Sequence, residues 1–270
     1  MKVTVRAPAT TANLGAGFDC AAVALDLWNE VVITDGGTPD REHLGVRAFE
    51  RIDPADGLHF EWFDRIPRER GLGSSAAIIA LGLVAAAHVK GRQPDPEWLL
   101  SEGLRLEGHA DNLAAALVGG ACLTVGGRID RLADGVPLEP IALVPQSTVA
   151  TAEARAALPE QVPFGDAVYT VGRAATLGAA LATQSEDLFA RSLTDRLHEP
   201  YRAEHAPLLE EVRSDLPPGA RGATISGSGP TVIVWAEHGS ADDCAAALSS
   251  RFPDVEVFWL RVSAKGAELL

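Results

Sequence analysis

Pro67-Arg68-Glu69-Arg70-Gly71-Leu72-Gly73-Ser74-Ser75-Ala76-Ala77 stands between a stretch of strand character, Leu58–Phe63, and the most apolar helical stretch in the chain, Ser75–Val89. Glycine permits tight backbone geometry and close approach of a ligand. The first N–H groups of a helix have no internal partner and carry partial positive charge. A glycine-rich turn that opens a helix is therefore an anion cradle of a size suited to a polyphosphate. Ser74 and Ser75 add hydroxyls able to cap the helix or to reach a metal ion. Arg68 and Arg70 add positive charge. The same residues also satisfy a plainer reading, a capped turn with no ligand.

Two other phosphate motifs are tested against this segment. A Walker A loop needs GxxxxGK[ST]. The only lysines are Lys2, Lys90 and Lys265, and none lies in such a loop. A Rossmann fingerprint needs strand, GxGxxG/A, helix and then a second strand with an acidic residue. Here a proline-flanked turn after Gly91 leads into another helical stretch. A nicotinamide or flavin oxidoreductase is thus the weaker reading.

Working outward, strand character falls at Val3–Val5, Glu30–Thr34, Leu58–Phe63, Ala121–Val125, Pro140–Val144, Thr231–Trp235 and Val255–Val262. Helical character falls at Ser75–Val89, Pro96–Gly108, Asn112–Val118, Asp166–Thr183, Glu186–Leu193, Glu204–Ser214 and Ala241–Phe252. Ser75–Val89 is apolar on every side, which predicts burial on every side. Strands and helices mix without regular βα alternation, so the expected class is α+β. A boundary is expected near Pro145–Ala150, dividing the chain into 1–147 and 148–270.

The 270 residues carry a formal net charge of −14, with 47% hydrophobic and 22% charged residues. That is the balance of a soluble globular protein. An acidic surface repels phosphate backbones, so no nucleic acid is expected as partner. It repels a free nucleotide too, so a nucleotide site must be locally basic or use a cation. Three cysteines, Cys20, Cys122 and Cys244, make no disulfide framework and no CxxC metal pair. A cytoplasmic location fits. No signal peptide is read at the N-terminus, where Asn13 and Asp19 interrupt the apolar residues. The uncharged run Gly71–Val89 is read as a buried helix, with no membrane role.

Three further segments sharpen the glycine-rich turn. They are Arg6-Ala7-Pro8-Ala9-Thr10-Thr11-Ala12-Asn13-Leu14-Gly15-Ala16-Gly17-Phe18-Asp19, Glu107-Gly108-His109-Ala110-Asp111-Asn112 and Ser226-Gly227-Ser228-Gly229-Pro230. Together the four resemble, in order, the motifs of the galactokinase, homoserine kinase, mevalonate kinase and phosphomevalonate kinase superfamily. Thr151-Ala152-Glu153-Ala154-Arg155-Ala156-Ala157-Leu158-Pro159 and Asp195-Arg196-Leu197-His198-Glu199-Pro200-Tyr201-Arg202 resemble segments of homoserine kinases in particular. Ala110 stands where those kinases usually carry proline. The stretch between Asp35 and Gly57, part of which builds their nucleotide-base pocket, is short.

The resemblance implies a two-domain small-molecule kinase fold. Its N-terminal ATP-binding domain would be like domain 2 of ribosomal protein S5, and its C-terminal domain ferredoxin-like β-α-β-β-α-β, with Ser226–Pro230 against the phosphate loop. The implied reaction is ATP-dependent phosphorylation of the side-chain hydroxyl of L-homoserine, in threonine biosynthesis, with Mg²⁺. Pro67 through Ala77 would bind ATP. Asn13, Asp19, His109, Asp111, Arg155 and Arg202 would bind the substrate, with Asp111, Asn112 and Arg155 the catalytic set. A zwitterion with a distal hydroxyl needs anions for its ammonium, here Asp19 and Asp111. It needs planar forks for its carboxylate, here Arg155 and Arg202. Ser75 and Glu107 are the implied metal ligands. Glu102 lies on the same expected helix as Glu107, but about 140° away at 3.6 residues per turn, so the two cannot share a face. Asp111 is open to two roles, general base or substrate ligand with direct attack by the hydroxyl. A homodimer is compatible with all of this. The rival readings are a relative acting on mevalonate or a sugar and a non-catalytic nucleotide-binding relative.

Overall fold

A computed structural model describes all 270 residues. Two long strands, β1 (Lys2–Asn13) and β2 (Gly17–Asp35), form an antiparallel hairpin that is the spine of the first sheet. The turn between them holds Asn13 at φ 75°, Leu14 at φ 46° and Gly15 at φ 74°. A Cβ on Gly15 would sit 2.5 Å from the Leu193 carbonyl carbon, so only glycine fits there. Pro8 lies at a register shift in β1, where a missing N–H does least harm. β3 (Leu58–Phe63) pairs with β2 beside α1 (Leu44–Phe49). β4 (Ala121–Val125) and β5 (Arg128–Ala133) complete one edge of the sheet.

Helix α2 (Ser74–Val89) runs beneath this sheet with 13 of its residues buried, as its all-round apolar character requires. Its alanines and Gly82 let α1 approach closely: a Cβ at Gly82 would lie 2.2 Å from the Gly45 carbonyl oxygen. Helices α3 (Pro96–Gly103) and α4 (Ala110–Val118) pack on its flank.

The second sheet has the order β7-β8-β6-β9, all antiparallel, from β6 (Glu139–Val144), β7 (Ala220–Ile225), β8 (Val232–Ala236) and β9 (Glu256–Trp259). Between β6 and β7 run α5 (Thr151–Ala156), α6 (Phe164–Thr183), α7 (Glu186–Ser192), a 3-10 turn (Pro200–His205) and α8 (Leu208–Ser214). α9 (Ala241–Arg251) joins β8 to β9. The order and crossovers are those of a β-α-β-β-α-β ferredoxin-like unit. Strands β6 and β8 are apolar at nearly every position because both faces are covered. Ile141, Leu143, Val232 and Val234 join a 14-residue cluster under α8 and α9. The alternate residues Ala142, Val144, Ile233 and Trp235 join the 47-residue core built around α2.

The division into sheets differs from the expected cut at 147/148. β6 lies ahead of that cut yet pairs only within the second sheet, and β10 (Glu268–Leu269), at the far end, pairs with β1 in the first. The expected helix Pro96–Gly108 stops at Gly103, whose carbonyl accepts from both Leu106 and Glu107 in a closing turn. The expected helix Glu204–Ser214 is broken at Pro207, which separates the 3-10 turn from α8.

Candidate active site

Residues of the four motifs meet in one cavity of about 630 Å³. Its floor is the start of α2. Gly73, at φ 66°, is the N-cap and supplies no side-chain bond, so neither Ser74 nor Ser75 caps the helix. The first-turn amides are left for a ligand. Gly71, Gly73, Ser74, Ser75, Arg68 and Glu69 line the cavity. The rest of the expected phosphate loop does not. Leu72, Ala76 and Ala77 are fully buried in the core, Arg70 turns to the Gln146 carbonyl at 3.3 Å, and Pro67 does not reach the cavity wall.

The Ser226–Pro230 turn closes over the loop from the second sheet. Ser226 Oγ donates to the Gly71 carbonyl at 2.6 Å, and the Gly227 amide donates to the Ala12 carbonyl at 3.2 Å. The glycines of the loop answer first to these protein neighbours. A Cβ on Gly73 would stand 1.8 Å from Thr10 Oγ1, and one on Gly71 2.3 Å from the Ser226 carbonyl oxygen. Gly73→Val is therefore expected to lower the melting temperature as well as nucleotide affinity. A variant that melts like the parent would refute this placement.

Ser75 Oγ donates to Glu107 Oε1 at 2.9 Å, while Glu107 Oε2 is buried without a partner. Burial pushes the Glu107 carboxyl above its usual range, against the pull of the Ser75 hydrogen bond and with help from Asp111. A buried carboxylate oxygen with no donor, beside a helix N-terminal hydroxyl, fits a divalent cation. No group of three His, Cys, Asp or Glu side chains is placed to hold a metal ion, so the remaining ligands would be phosphate oxygens and water. Glu107 lies beyond the end of α3, so the helical-wheel separation from Glu102 does not apply. Glu102 is instead engaged by Arg51 at 2.7 Å.

At the other end of the cavity stand Asn13, Asp19, His109, Asp111, Arg155 and Arg202. Asn13 Nδ2 donates to the Gly227 carbonyl at 2.8 Å, and its Oδ1 accepts from the Asp19 amide at 3.1 Å. Asp19 and Arg155, expected to meet opposite ends of a substrate, form a bidentate pair with each other at 2.7 and 3.0 Å. Asp111 sits in the first turn of α4, 3% exposed. Burial pushes its carboxyl up to about 6, although it accepts from the Asn112 amide at 2.7 Å. Asn112 Oδ1 accepts from Thr10 Oγ1 at 2.7 Å, which ties α4 to β1. His109 is the N-cap of α4 but makes no capping bond. Burial, with Arg155 nearby, holds its imidazole below the usual range.

Arg202 is buried in the 3-10 turn. Its Nη1 donates to the Gly227 carbonyl at 3.0 Å and its Nε to the Ala154 carbonyl at 3.3 Å. His198, given no role in the sequence reading, lies beneath it. Burial pushes its imidazole down to about 4, so it is neutral at pH 7. Its Nε2–H donates to the Gly15 carbonyl at 3.0 Å, and its Nδ1 faces Arg202 Nη1 at 3.5 Å. The ring also stacks on Phe18, with centroids 4.9 Å apart. Asp195 accepts from the amides of Leu197, His198 and Glu199 at 2.8, 2.6 and 3.1 Å and so folds the segment. The glycine-loop end of the cavity adds Glu42, His43 and Leu44. His43 stacks on Trp62 at 4.2 Å and accepts from the Gly45 amide as the N-cap of α1.

Comparison with known proteins identifies the family. Residues 43–120 match the GHMP kinases N terminal domain and residues 177–254 the GHMP kinases C terminal domain. The homoserine kinase of Streptomyces avermitilis is 40% identical over 274 residues, covering 90% of this chain and 88% of its own. That of Moorella thermoacetica is 36% identical over 255 residues, covering 86% of each. The crystal structure of homoserine kinase from Cytophaga hutchinsonii superposes with a TM-score of 0.89 at 27% identity, covering 100% of this chain and 97% of its own. The likeness covers most of the chain in every case: the chain belongs to the homoserine kinase family of the GHMP kinases.

Proposed function

We propose that this protein transfers the γ-phosphoryl group of ATP to the side-chain hydroxyl of L-homoserine, giving O-phospho-L-homoserine and ADP on the way to threonine. The observation that carries the reading is a single cavity with two chemically distinct ends. One end is an uncapped helix N-terminus with a glycine-rich turn, and the other gathers Asp19, Asp111, Arg155 and Arg202. The relatives named homoserine kinase, at 36–40% identity over most of the chain, support the same substrate.

In this reading the α2 amides and Ser74 hold the polyphosphate, and the nucleoside lies toward His43, Leu44 and Arg68. Ser75 and Glu107 would hold Mg²⁺, which neutralises developing charge on the transferred group. Arg155 and Arg202 take the amino-acid carboxylate, Asp19 its ammonium, and Asn13 fixes Asp19. The hydroxyl then faces the γ-phosphate beside Asp111. Phosphoryl transfer depends mainly on positioning and charge neutralisation, and the rigid seating of Asn13, Asn112 and Arg202 supplies the positioning. No helix is long and apolar enough to cross a membrane, and all three cysteines are free, which suits a reducing cytoplasm.

The test is a coupled ADP assay of the purified chain with L-homoserine, mevalonate, galactose and L-serine. Homoserine should give the highest kcat/KM. Faster turnover of mevalonate or galactose would overturn the proposal.

A further inference from the structure

The cavity already holds, in mutual contact, two of the charges that a zwitterion would have to meet. Asp19 and Arg155 pair through both carboxylate oxygens and both terminal guanidinium nitrogens. That bidentate form is the one in which a partly exposed pair has real strength. Asp19 is held at φ 56°, and its amide is fastened to Asn13, which is fastened in turn to Gly227. Arg155 comes from the other side on α5, and its Nε is buried without a partner. The pair also stands where two cavities meet. Asp19, His109 and Arg155 line both the main cavity and a second of about 250 Å³ bounded by Gly126 and Gly127. The other charges facing the pair are Asp111 and Arg202. Arg202 is already committed to Gly227 and Ala154, so it does not replace Arg155 as the partner of Asp19.

We propose that the Asp19–Arg155 pair is a charge lock that makes the site selective for ligands carrying both an ammonium and a carboxylate. A zwitterion can exchange partners without leaving a charge bare: its ammonium takes Asp19 as its carboxylate takes Arg155. A carboxylate alone opens the pair but leaves Asp19 stripped and beside a second anion. An ammonium alone leaves Arg155 stripped. Each one-charge ligand therefore loses its missing contact and also bears the opening of the pair. The lock presupposes the proposed substrate site, and its test separates the two.

The probes are L-homoserine, 4-hydroxybutyrate, which lacks the ammonium, and 3-aminopropan-1-ol, which lacks the carboxylate. Their dissociation constants are measured by calorimetry on the full chain and on two charge-removing variants, the isosteric Asp19→Asn and the shorter Arg155→Gln. Asparagine tolerates the left-handed backbone at position 19, and thermal melts report folding. Both variants should lose homoserine affinity. Asp19→Asn should bind 4-hydroxybutyrate about two- to fivefold more tightly than the parent, the scale of one well-formed exposed pair, and 3-aminopropan-1-ol no more tightly. Arg155→Gln should show the reverse preference. Loss of homoserine with no crossed gain in either variant would overturn the lock and leave the substrate site standing. Unchanged homoserine affinity in both variants would overturn the substrate site itself, and the lock with it. Uniform weakening of all three ligands together with a lowered melting temperature would assign the pair to the fold and also overturn the lock.

Discussion

Arg202→Ala is expected to weaken L-homoserine binding by roughly 30-fold to several-thousand-fold, the effect of removing one side of a buried charge-assisted pair, about 2–5 kcal/mol. The structure adds a second consequence. Arg202 donates to the Gly227 and Ala154 carbonyls and faces His198 Nδ1, and each buried acceptor left without a donor costs about 1–3 kcal/mol. The variant should therefore melt at a lower temperature. Because the Ser226–Pro230 turn that Arg202 holds also bonds Gly71 of the glycine-rich loop, ATP affinity should fall as well, by less than homoserine affinity. Arg155→Ala is the contrast: its side chain is 38% exposed and hydrogen-bonds only Asp19, so substrate affinity should fall with little change in melting. Homoserine with its carboxylate amidated should lose far less than homoserine when Arg202 is removed. Equal losses for the two ligands would mean that Arg202 serves only the fold.

Much of this was legible in the sequence, and the reasons differ element by element. Ser75–Val89 announced a buried helix because an all-apolar stretch of that length has no other stable place, and the helix begins at Ser74, one residue away. The strand β1 was read only at Val3–Val5, since Pro8 and the Ala/Thr run after it lack the alternation of a half-buried strand. Those residues are buried on both faces, between α2, α4 and the C-terminal glycine turn, so alternation has no cause there. β5 and β7 were missed for the opposite reason. Arg128–Ala133 is half exposed and Ala220–Gly222 half-buried, and the hydrophobic pattern is weak.

The site followed the same logic. Residues inside recognisable motifs could be gathered from the chain, and the cavity brings Asn13, Asp19, His109, Asp111, Asn112, Arg155 and Arg202 together. What could not be read was which of these charges hold one another in the free protein, because Asp19 and Arg155 are far apart in sequence. His198 carried a signal in its position within Asp195–Arg202, four residues before an arginine. Its supporting role became visible only when burial showed that it must be neutral and therefore able to accept from that arginine.

Asp111→Asn separates stability from activity at a single carboxyl. Burial raises Asp111 from an ordinary 3.8 to about 6, so the folded state holds this proton more tightly than the unfolded chain. Its contribution to stability is full below pH 3.8, falls as pH rises through about 6, and is least above that. A shift of about two units corresponds to at most about 3 kcal/mol. For a chain of this size that is up to roughly 5–10 °C in melting temperature. Asparagine carries no charge to desolvate. The variant should thus melt above the parent at pH 8, and the gap should close as pH falls through 6 toward 4. His198 and Glu199, which burial moves to about 4 and about 7, titrate in both proteins and cancel in the difference. Activity should move the other way. In the parent, kcat/KM should rise through about pH 6 as the free enzyme's Asp111 ionises, and the variant should lack that limb. A loss of about 10²–10⁴-fold in kcat would assign Asp111 as the base that takes the hydroxyl proton, whereas a raised KM with kcat retained would assign it to holding the substrate. A parent protein whose melting advantage over Asp111→Asn grows from pH 5 to pH 8 would show that the carboxylate is stabilised where it lies, and the strained, buried Asp111 would have to be given up.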